Sequence, residues 1–260
     1  MPDLGGFLTN IMLDTYKKHV EERALQGIPP LPLNAEQVSE LVELLKSPPD
    51  GEEEYILDLI TNRTPAGVDP AAYVKAAFLT AIAKEETYSP LINKHYATEL
   101  LGTMLGGYNV ESLIGLLADE EVGSIAAEGL SKTLLMFNAK HDVIELAKNN
   151  KNAQRVVDSW AEAEWFNNKP KLPDMIKAIV FRVEGEINTD DFSPAQDAPS
   201  RPDIPLHALA MLKKTFQDPI GTIEKLKESG LPVVFVGDVV GTGSSRKSAT
   251  NSLLWHIGED

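Results

Sequence analysis

Apolar side chains in the first two thirds of the chain recur at helical spacing. The clearest stripes are Leu13, Tyr16, Val20 and Ala24; Val74, Ala77, Phe78, Ala81 and Ile82; and Val110, Leu113, Ile114 and Leu117. Residues three and four apart lie on one face of a helix, so each stripe predicts an amphipathic helix with one buried side. Short segments rich in Pro, Gly and Asn separate the stripes. This region is therefore expected to form many short helices with brief connections.

Helix start signals support this interpretation. Asn34 is followed three positions later by Gln37, which predicts a capping box. Asp69 precedes Pro70, and proline is favoured at the first position of a helix. Asn109 stands directly before the third stripe and predicts a further N-cap. Together these signals favour helix pairs stacked side by side, an all-α solenoid of HEAT-like architecture.

The pattern changes after about Lys169. KAIVFRVEG, at 177–185, is rich in β-branched and aromatic residues and predicts a strand. The polar segment 187–205 predicts an irregular loop, and two helical stretches follow. LPVVFVGDVV, at 231–240, is almost continuously apolar and predicts a strand buried on both faces. This second region is therefore expected to be α/β.

A glycine-rich turn follows the second predicted strand and opens into a predicted helix. Gly241 and Gly243 allow positive φ and close backbone approach. The free N–H groups at the start of a helix, together with Arg246, would suit a phosphate or carboxylate. The spacing fits neither the phosphate loop nor the dinucleotide fingerprint. Two interpretations stay open, an anion site and a structural turn with a serine N-cap.

Composition narrows the chemistry that these residues can support. The chain has no cysteine, which excludes disulfides, thiol nucleophiles and a cysteine-bound cluster held by this chain alone. Its five histidines are scattered, so a metal site is not expected. The net charge of −15 opposes binding to nucleic acids and anionic membranes. Without a basic leader or a long apolar segment, the chain is expected to be cytoplasmic, with no membrane partner.

Several segments resemble the B-type aconitases. VGDVVGTGSSRKSATNS and NTDDFSPAQDAPSRPDIPLHALAML are similar to the swivel domain of that family, and PPDGEEEYILDLITNR, LLGTMLGGYN and SWAEAEWF to the helical domain in front of it. The resemblance implies a HEAT-like α-helical domain over residues 12–170. It also implies the first part of a swivel domain, incomplete, over 171–260, with 1–11 as an unmatched N-terminal extension.

The resemblance also implies an activity. Enzymes of this family are aconitate hydratases, which interconvert citrate and isocitrate through cis-aconitate in the tricarboxylic acid cycle. They use a 4Fe-4S cluster, whose open iron acts as a Lewis acid. The cluster is expected to be bound by residues absent from this chain, so that the chain alone holds no cofactor and is inactive. The chain is expected to supply the substrate-binding swivel loop and an oligomerisation domain.

Individual residues take roles through the same resemblance. Ser244 corresponds to the serine base that removes the carbon-bound proton, and Ser245 and Arg246 correspond to substrate contacts. Arg201 corresponds to the arginine that binds a substrate carboxylate, and Asp190 to the aspartate beside a catalytic histidine of the core. Two guanidinium groups suit a substrate with up to three carboxylates.

Two further functions stay open. The helical domain could be a protein-interaction module that forms a homodimer, because the ends of a short solenoid cannot both be buried within one chain. Alternatively, the chain could belong to an iron-responsive RNA-binding regulator, a role known for aconitases as a family. The acidic net charge opposes strong RNA binding.

Overall fold

The structure is a computed structural model that describes residues 4–134, 139–169 and 171–258, with side chains from residue 11 onward. It is mostly helical, with two β-strands among the described residues. Two compact units are present, the first formed by residues 1–19 and 31–170 and the second by 20–30 and 171–260. Residues 1–3 of the predicted extension lie outside the described residues.

The first unit consists of helices throughout its described part. Its helices are α1 (Leu4–Ala24, which continues into the second unit), α2 (Ala35–Lys46), α3 (Glu53–Asn62), α4 (Pro70–Ala83), α5 (Lys94–Thr103), α6 (Val110–Leu116), α7 (Gly123–Ser131), α8 (Lys140–Ala147), α9 (Lys151–Ala161) and α10 (Glu164–Asn167). Packing runs in a row, with α2 on α4, α4 on α5, α5 on α7 and α7 on α9. The apolar stripes predicted from the sequence thus fall on helices.

Local signals explain where several helices begin. The capping box of Asn34 and Gln37 is confirmed, since Oδ1 of Asn34 accepts from the Gln37 amide at 2.9 Å. Asp69 caps α4 with proline at its start, also as predicted. Asn109 precedes α6, but its side chain makes no capping hydrogen bond. Asn109 thus occupies the N-cap position as predicted, but its Nδ2 donates to the carbonyl oxygen of Leu101 and its side chain does not cap the helix.

The second unit holds the sheet. Its elements are β1 (Ile179–Asn188), α11 (Thr189–Phe192), a 3-10 helix (Ala195–Ser200), α12 (Ile204–Ala208), α13 (Pro219–Lys227), β2 (Val233–Thr242) and α14 (Arg246–Ile257). The strands pair in parallel, from Ile179 opposite Val233 to Asn188 opposite Thr242, with register shifts after Val183 and after Ile187. The core beneath them consists of Phe181, Val183, Ile187, Phe192, Met211, Leu212, Ile223, Val233 and Ala249.

Two predictions for this unit were wrong. The segment 187–205 is not an irregular loop, because β1 extends to Asn188 and short helices follow it. The second predicted strand is not buried on both faces, since Val236 and Val239 of β2 are 41% and 50% exposed. The described sheet has two strands, so one side of β2 pairs with β1 and the other lacks a strand neighbour.

Candidate functional site

Parallel pairing brings two chain turns to the same edge of the sheet. β1 and β2 both end there, at Asn188 and Thr242, and each is followed by a helix start. The carboxyl ends of parallel strands are where ligands bind in open α/β sheets. All five residues that the resemblance singles out follow one or the other strand, so they belong to this edge or to the segments leading away from it.

The turn after β1 is fixed by its own side chains. Asn188 Oδ1 accepts from the amides of Asp190 and Asp191, at 2.8 and 3.1 Å. Asp191 Oδ2 accepts in return from the Asn188 amide at 2.9 Å, which completes a capping box. The carboxylate of Asp191 is therefore used locally, and that of Asp190 is left to face the turn after β2.

The turn after β2 requires glycine. Gly241 and Gly243 have φ of +83° and +106°, which L side chains rarely adopt. A Cβ on Gly243 would also lie 2.6 Å from Oγ1 of Thr189, at the start of the helix after β1. The same Thr189 Oγ1 accepts a hydrogen bond from the amide of Ser245 at 3.1 Å. The two turns are thus held against each other through Thr189.

Ser245 connects two other predicted residues. Its hydroxyl donates to Oδ1 of Asp190 at 3.2 Å and accepts from Nη2 of Arg201 at 3.3 Å. Ser245 occupies the N-cap position of α14, but its side chain makes no capping hydrogen bond. The hydroxyl is engaged across the site instead of with its own helix. Asp190, Arg201 and Ser245 therefore form one connected group.

Ser193 holds the guanidinium of Arg201. Nε donates to Ser193 Oγ at 3.1 Å and Nη2 donates to the carbonyl oxygen of Ser193 at 3.2 Å. One edge of the guanidinium is thereby occupied within the protein. Nη1 makes no hydrogen bond to a described residue, so it is the part of Arg201 still able to meet an anion.

Ser244 and Arg246 flank Ser245, and both are exposed. Neither side chain forms a hydrogen bond or ion pair with another residue in the described ranges. Their position depends on the backbone of the turn, in which the carbonyl oxygen of Ser244 accepts a hydrogen bond from the Arg246 amide at 2.9 Å. Their functional groups are open to a ligand.

Sequence reasoning missed residues that lie behind the site. Thr189 and Ser193 are buried, and His207 is 2% exposed within the same hydrogen-bonded group. The Asn-x-x-Asp spacing from Asn188 to Asp191 is a capping signal that could have indicated the turn. No local signal pairs Ser193 with His207, because the contact joins residues 14 positions apart.

Helix α14, which carries Arg246, is attached to α12 through His256. The Nε2 atom of His256 lies 2.9 Å from the carbonyl oxygen of Ala208, and the ring is 5% exposed. Burial lowers the pKa of His256, because removing water disfavours the charged imidazolium. This contact fixes the body of the helix whose start forms the site.

Three further features of the described residues concern possible ligands and membrane contact. Among residues 4–134, 139–169 and 171–258, no group of three His, Cys, Asp or Glu side chains could hold a metal ion. No helix in the described part of the chain is both long and apolar enough to cross a membrane. A groove of about 950 Å³ lies in the first unit, lined by residues that include Met104, Leu105 and Leu134, and contains none of the predicted site residues.

Two protein families match this chain, one over its helical part and one over its α/β part. Residues 15–166 match the family described as the aconitate B N-terminal domain, and residues 178–260 match the aconitate hydratase 2 N-terminus. Similar curated proteins include aconitate hydratase B of Pseudomonas aeruginosa, 61% identical over 260 residues, and that of Escherichia coli, 59% identical over 260 residues. Each alignment covers 96% of this chain and 30% of the relative.

A more distant relative gives the same result. Aconitate hydratase B of Helicobacter pylori is 50% identical over 250 residues, covering 95% of this chain and 29% of that protein. This chain thus spans about 30% of the length of the curated relatives that it matches. The first family match alone covers more than half of the chain. The chain belongs to the aconitase B family.

Proposed function

We propose that this chain forms the N-terminal part of an aconitate hydratase, a hydro-lyase that interconverts citrate and isocitrate through cis-aconitate in the tricarboxylic acid cycle, and that it binds the substrate. One observation carries the proposal. Ser245 connects Asp190 and Arg201 at the carboxyl edge of the sheet, beside a turn whose glycines permit close approach. The names of the relatives supply the reaction.

Arg201 and Arg246 are the proposed carboxylate contacts. Arg201 is already held by Ser193 and Ser245, so binding requires little further ordering of its side chain. Arg246 is exposed and begins α14, where the helix dipole also favours an anion. Ser245 completes the substrate contacts. Two cations on separate segments fix the orientation of a tricarboxylate better than one.

Ser244 is the proposed base that removes the carbon-bound proton. A hydroxyl is a weak base unless its alkoxide is stabilised, and the start of α14 together with Arg246 provides positive potential there. The side chain of Ser244 is exposed and forms no hydrogen bond to a described residue, so it can reach a substrate. Asp190, whose orientation is set by Ser245, is the proposed catalytic aspartate that lies beside a histidine of the enzyme's core.

The 4Fe-4S cluster of the complete enzyme is proposed to be bound outside this chain. When bound, such a cluster polarises the departing hydroxyl of the substrate. The residues described here do not fit it, because the chain has no cysteine and the described part offers no metal-binding group. The role assigned to this chain is therefore limited to binding, orienting and deprotonating the substrate.

The first unit is proposed to be a HEAT-like domain over residues 12–170, and residues 171–260 the first part of a swivel domain. The row of packed helices from α2 to α9 supports the first assignment. We also propose a homodimer through this helical domain, in a cytoplasmic enzyme, because a row of this kind leaves its end faces uncovered. Light scattering over a wide concentration range tests the dimer, and a strictly monomeric chain would contradict it.

Nothing in the site favours the alternative of RNA binding. The net charge is −15, and phosphate contacts require clustered cations. A salt-dependent electrophoretic shift with structured RNA would be needed to support that alternative.

Calorimetric titration with tricarballylate tests the substrate-binding role directly. This tricarboxylate lacks the hydroxyl that citrate loses, so it binds without reacting. We expect the 260-residue chain to bind it, and Arg201→Lys and Arg246→Lys to bind it more weakly, because lysine keeps the charge but loses the planar fork. Arg155→Lys, at an exposed position of the first unit, serves as the matched control for an arginine-to-lysine exchange. Equal affinity for all four proteins would contradict the proposal.

A further inference from the structure

His207 lies at the end of a hydrogen-bonded group that begins at the proposed site. Its ring is 2% exposed and makes hydrogen bonds on both sides. Nε2 lies 2.8 Å from Ser193 Oγ, and Nδ1 lies 2.8 Å from Ser200 Oγ and 3.1 Å from the carbonyl oxygen of Asp197. A buried histidine with both nitrogens hydrogen-bonded has a fixed orientation, so it can fix the orientation of the hydroxyl groups bonded to it.

The donors and acceptors determine which nitrogen carries the proton. Ser193 Oγ accepts from Nε of Arg201, and the carbonyl oxygen of Ser193 accepts from Nη2. The single hydroxyl proton of Ser193 needs an acceptor, and Nε2 of His207 is the one within reach among the described atoms. Nε2 is therefore unprotonated, because a proton on it would leave the hydroxyl of a fully buried serine without an acceptor.

The other side of the ring agrees with this assignment. Ser200 Oγ donates to the carbonyl oxygen of Asp197 at 2.7 Å, so its own lone pairs remain available. Nδ1–H of His207 can then donate to Ser200 Oγ and to that carbonyl oxygen. The hydroxyls of Ser193 and Ser200 then each donate one hydrogen bond and accept at least one. The neutral ring with its proton on Nδ1 satisfies every polar atom named here.

We propose that His207 is a positioning residue for the substrate-binding arginine, acting through Ser193. The unprotonated Nε2 turns the Ser193 hydroxyl so that its lone pair faces Nε of Arg201. The guanidinium is then fixed along one edge, its Nη2 meets Ser245, and its Nη1 is left without a hydrogen bond to a described residue. His207 touches no substrate in this arrangement. The inference rests on the proposed function, in which Arg201 binds a carboxylate.

Two variants at position 207 separate this role from simple packing. His207→Leu fills the space but offers no acceptor to Ser193. His207→Gln offers a carbonyl oxygen that can accept from the Ser193 hydroxyl, and thus restores the direction of the hydrogen bond. Ser193→Ala removes the link itself. Circular dichroism and thermal melting establish which of these variants fold.

Nuclear magnetic resonance of the 260-residue chain gives a readout that a packing role would not change. We expect Nδ1 of His207 to be protonated and Nε2 not to be. The Nε–H signal of Arg201 should exchange slowly with water in the unaltered chain and in His207→Gln, and rapidly in Ser193→Ala and His207→Leu. A protonated Nε2, or slow Arg201 exchange in every folded variant, would overturn the proposal.

Tricarballylate binding supplies the second readout. We expect Ser193→Ala and His207→Leu to weaken binding by roughly 3- to 10-fold, the effect of losing one hydrogen bond, and His207→Gln to restore most of it. If the unaltered chain fails to bind the tricarboxylate, the proposed function fails, while Arg201 exchange still tests the role of His207. If His207→Leu folds and binds normally with unchanged exchange, the positioning role is wrong. If no variant at 207 folds, the ring of His207 in the unaltered chain decides the proposal: a proton on Nδ1 and none on Nε2 supports it, and a protonated Nε2 overturns it.

Discussion

The hydroxyl of Ser245 donates a hydrogen bond of 3.2 Å to Oδ1 of Asp190, a residue 55 positions earlier in the chain. The same hydroxyl accepts from Arg201, so an acidic and a basic side chain meet at one small neutral group. The contact exists because two parallel strands end at the same edge of the sheet. It places the proposed substrate arginine and the proposed catalytic aspartate in a fixed relationship before any ligand arrives.

Ser245→Ala is expected to weaken tricarboxylate binding without unfolding the second unit. The variant removes the hydroxyl from both Asp190 and Arg201, while the Ser245 amide keeps its bond to Thr189. The loss should be about 1 kcal/mol, because Arg201 remains held by Ser193. Calorimetry with tricarballylate measures it, with Ser248→Ala on the same helix as the matched control. An affinity equal to that of the control variant would argue against the contact.

Gly243→Ala is expected to destabilise the second unit more than Gly241→Ala. Both glycines have positive φ, so both variants incur backbone strain of about 1 kcal/mol. Only at Gly243 would the added methyl also collide with Thr189, at 2.6 Å, whereas a Cβ on Gly241 meets nothing within 4 Å. Urea denaturation of the two variants measures the difference directly. Equal destabilisation would mean that the two turns are not in close contact.

Because of Lys75, the free energy of unfolding of the first unit is expected to change with pH in the alkaline range. Its side chain is 5% exposed, with Nζ donating to the carbonyl oxygen of Thr61 at 3.2 Å, and burial lowers its pKa to about 8. Between pH 8 and 10 the unfolded chain binds a proton that the folded chain does not. The free energy of unfolding should therefore rise there, by at most about 1.4 kcal/mol per pH unit, and stay level below pH 8 as far as Lys75 is concerned.

Urea denaturation at pH 7.5 and 9.5 tests this expectation. Lys75→Met should remove the rise and stabilise the chain at pH 7.5, whereas Lys151→Met, at an exposed position, should retain the rise. The range ends at pH 9.5 because burial raises the pKa of Tyr16 and of Tyr55. Their ionisation in the unfolded chain opposes the effect above about pH 10. The same rise in Lys75→Met would show that another group causes it.

Local signals in the sequence were sufficient for part of this structure. Asn34 and Asp69 begin helices because their partners lie within three residues. Gly241 and Gly243 indicated a turn between a strand and a helix, and the structure has that turn. Asn109 looks the same locally, yet its amide donates to Leu101, eight residues away. An asparagine before a helix therefore indicates where the helix begins, but not whether its side chain caps that helix.

The remaining differences have the same origin. Segment 187–205 was predicted as a loop from its Asp, Ser and Pro content, but those residues also cap and begin short helices. Burial of β2 depends on what covers the sheet, which its own apolar pattern does not specify. The hydrogen bonds of Ser193 to Arg201 and His207 join three separate segments. The family resemblance indicated the candidate site residues, whereas these supporting contacts depend on how distant segments fold together.

Kinetics of a chimaera measures whether Ser244 acts as the catalytic base. In this chimaera the chain replaces the segment that it matches in aconitate hydratase B of Pseudomonas aeruginosa. We expect the chimaera to interconvert citrate and isocitrate. Ser244→Ala should lower kcat by roughly 10²- to 10⁴-fold, as for loss of a catalytic base, with little change in KM or melting temperature. A chimaera that folds but is inactive, or a Ser244→Ala variant that loses activity only in proportion to stability, would contradict the account.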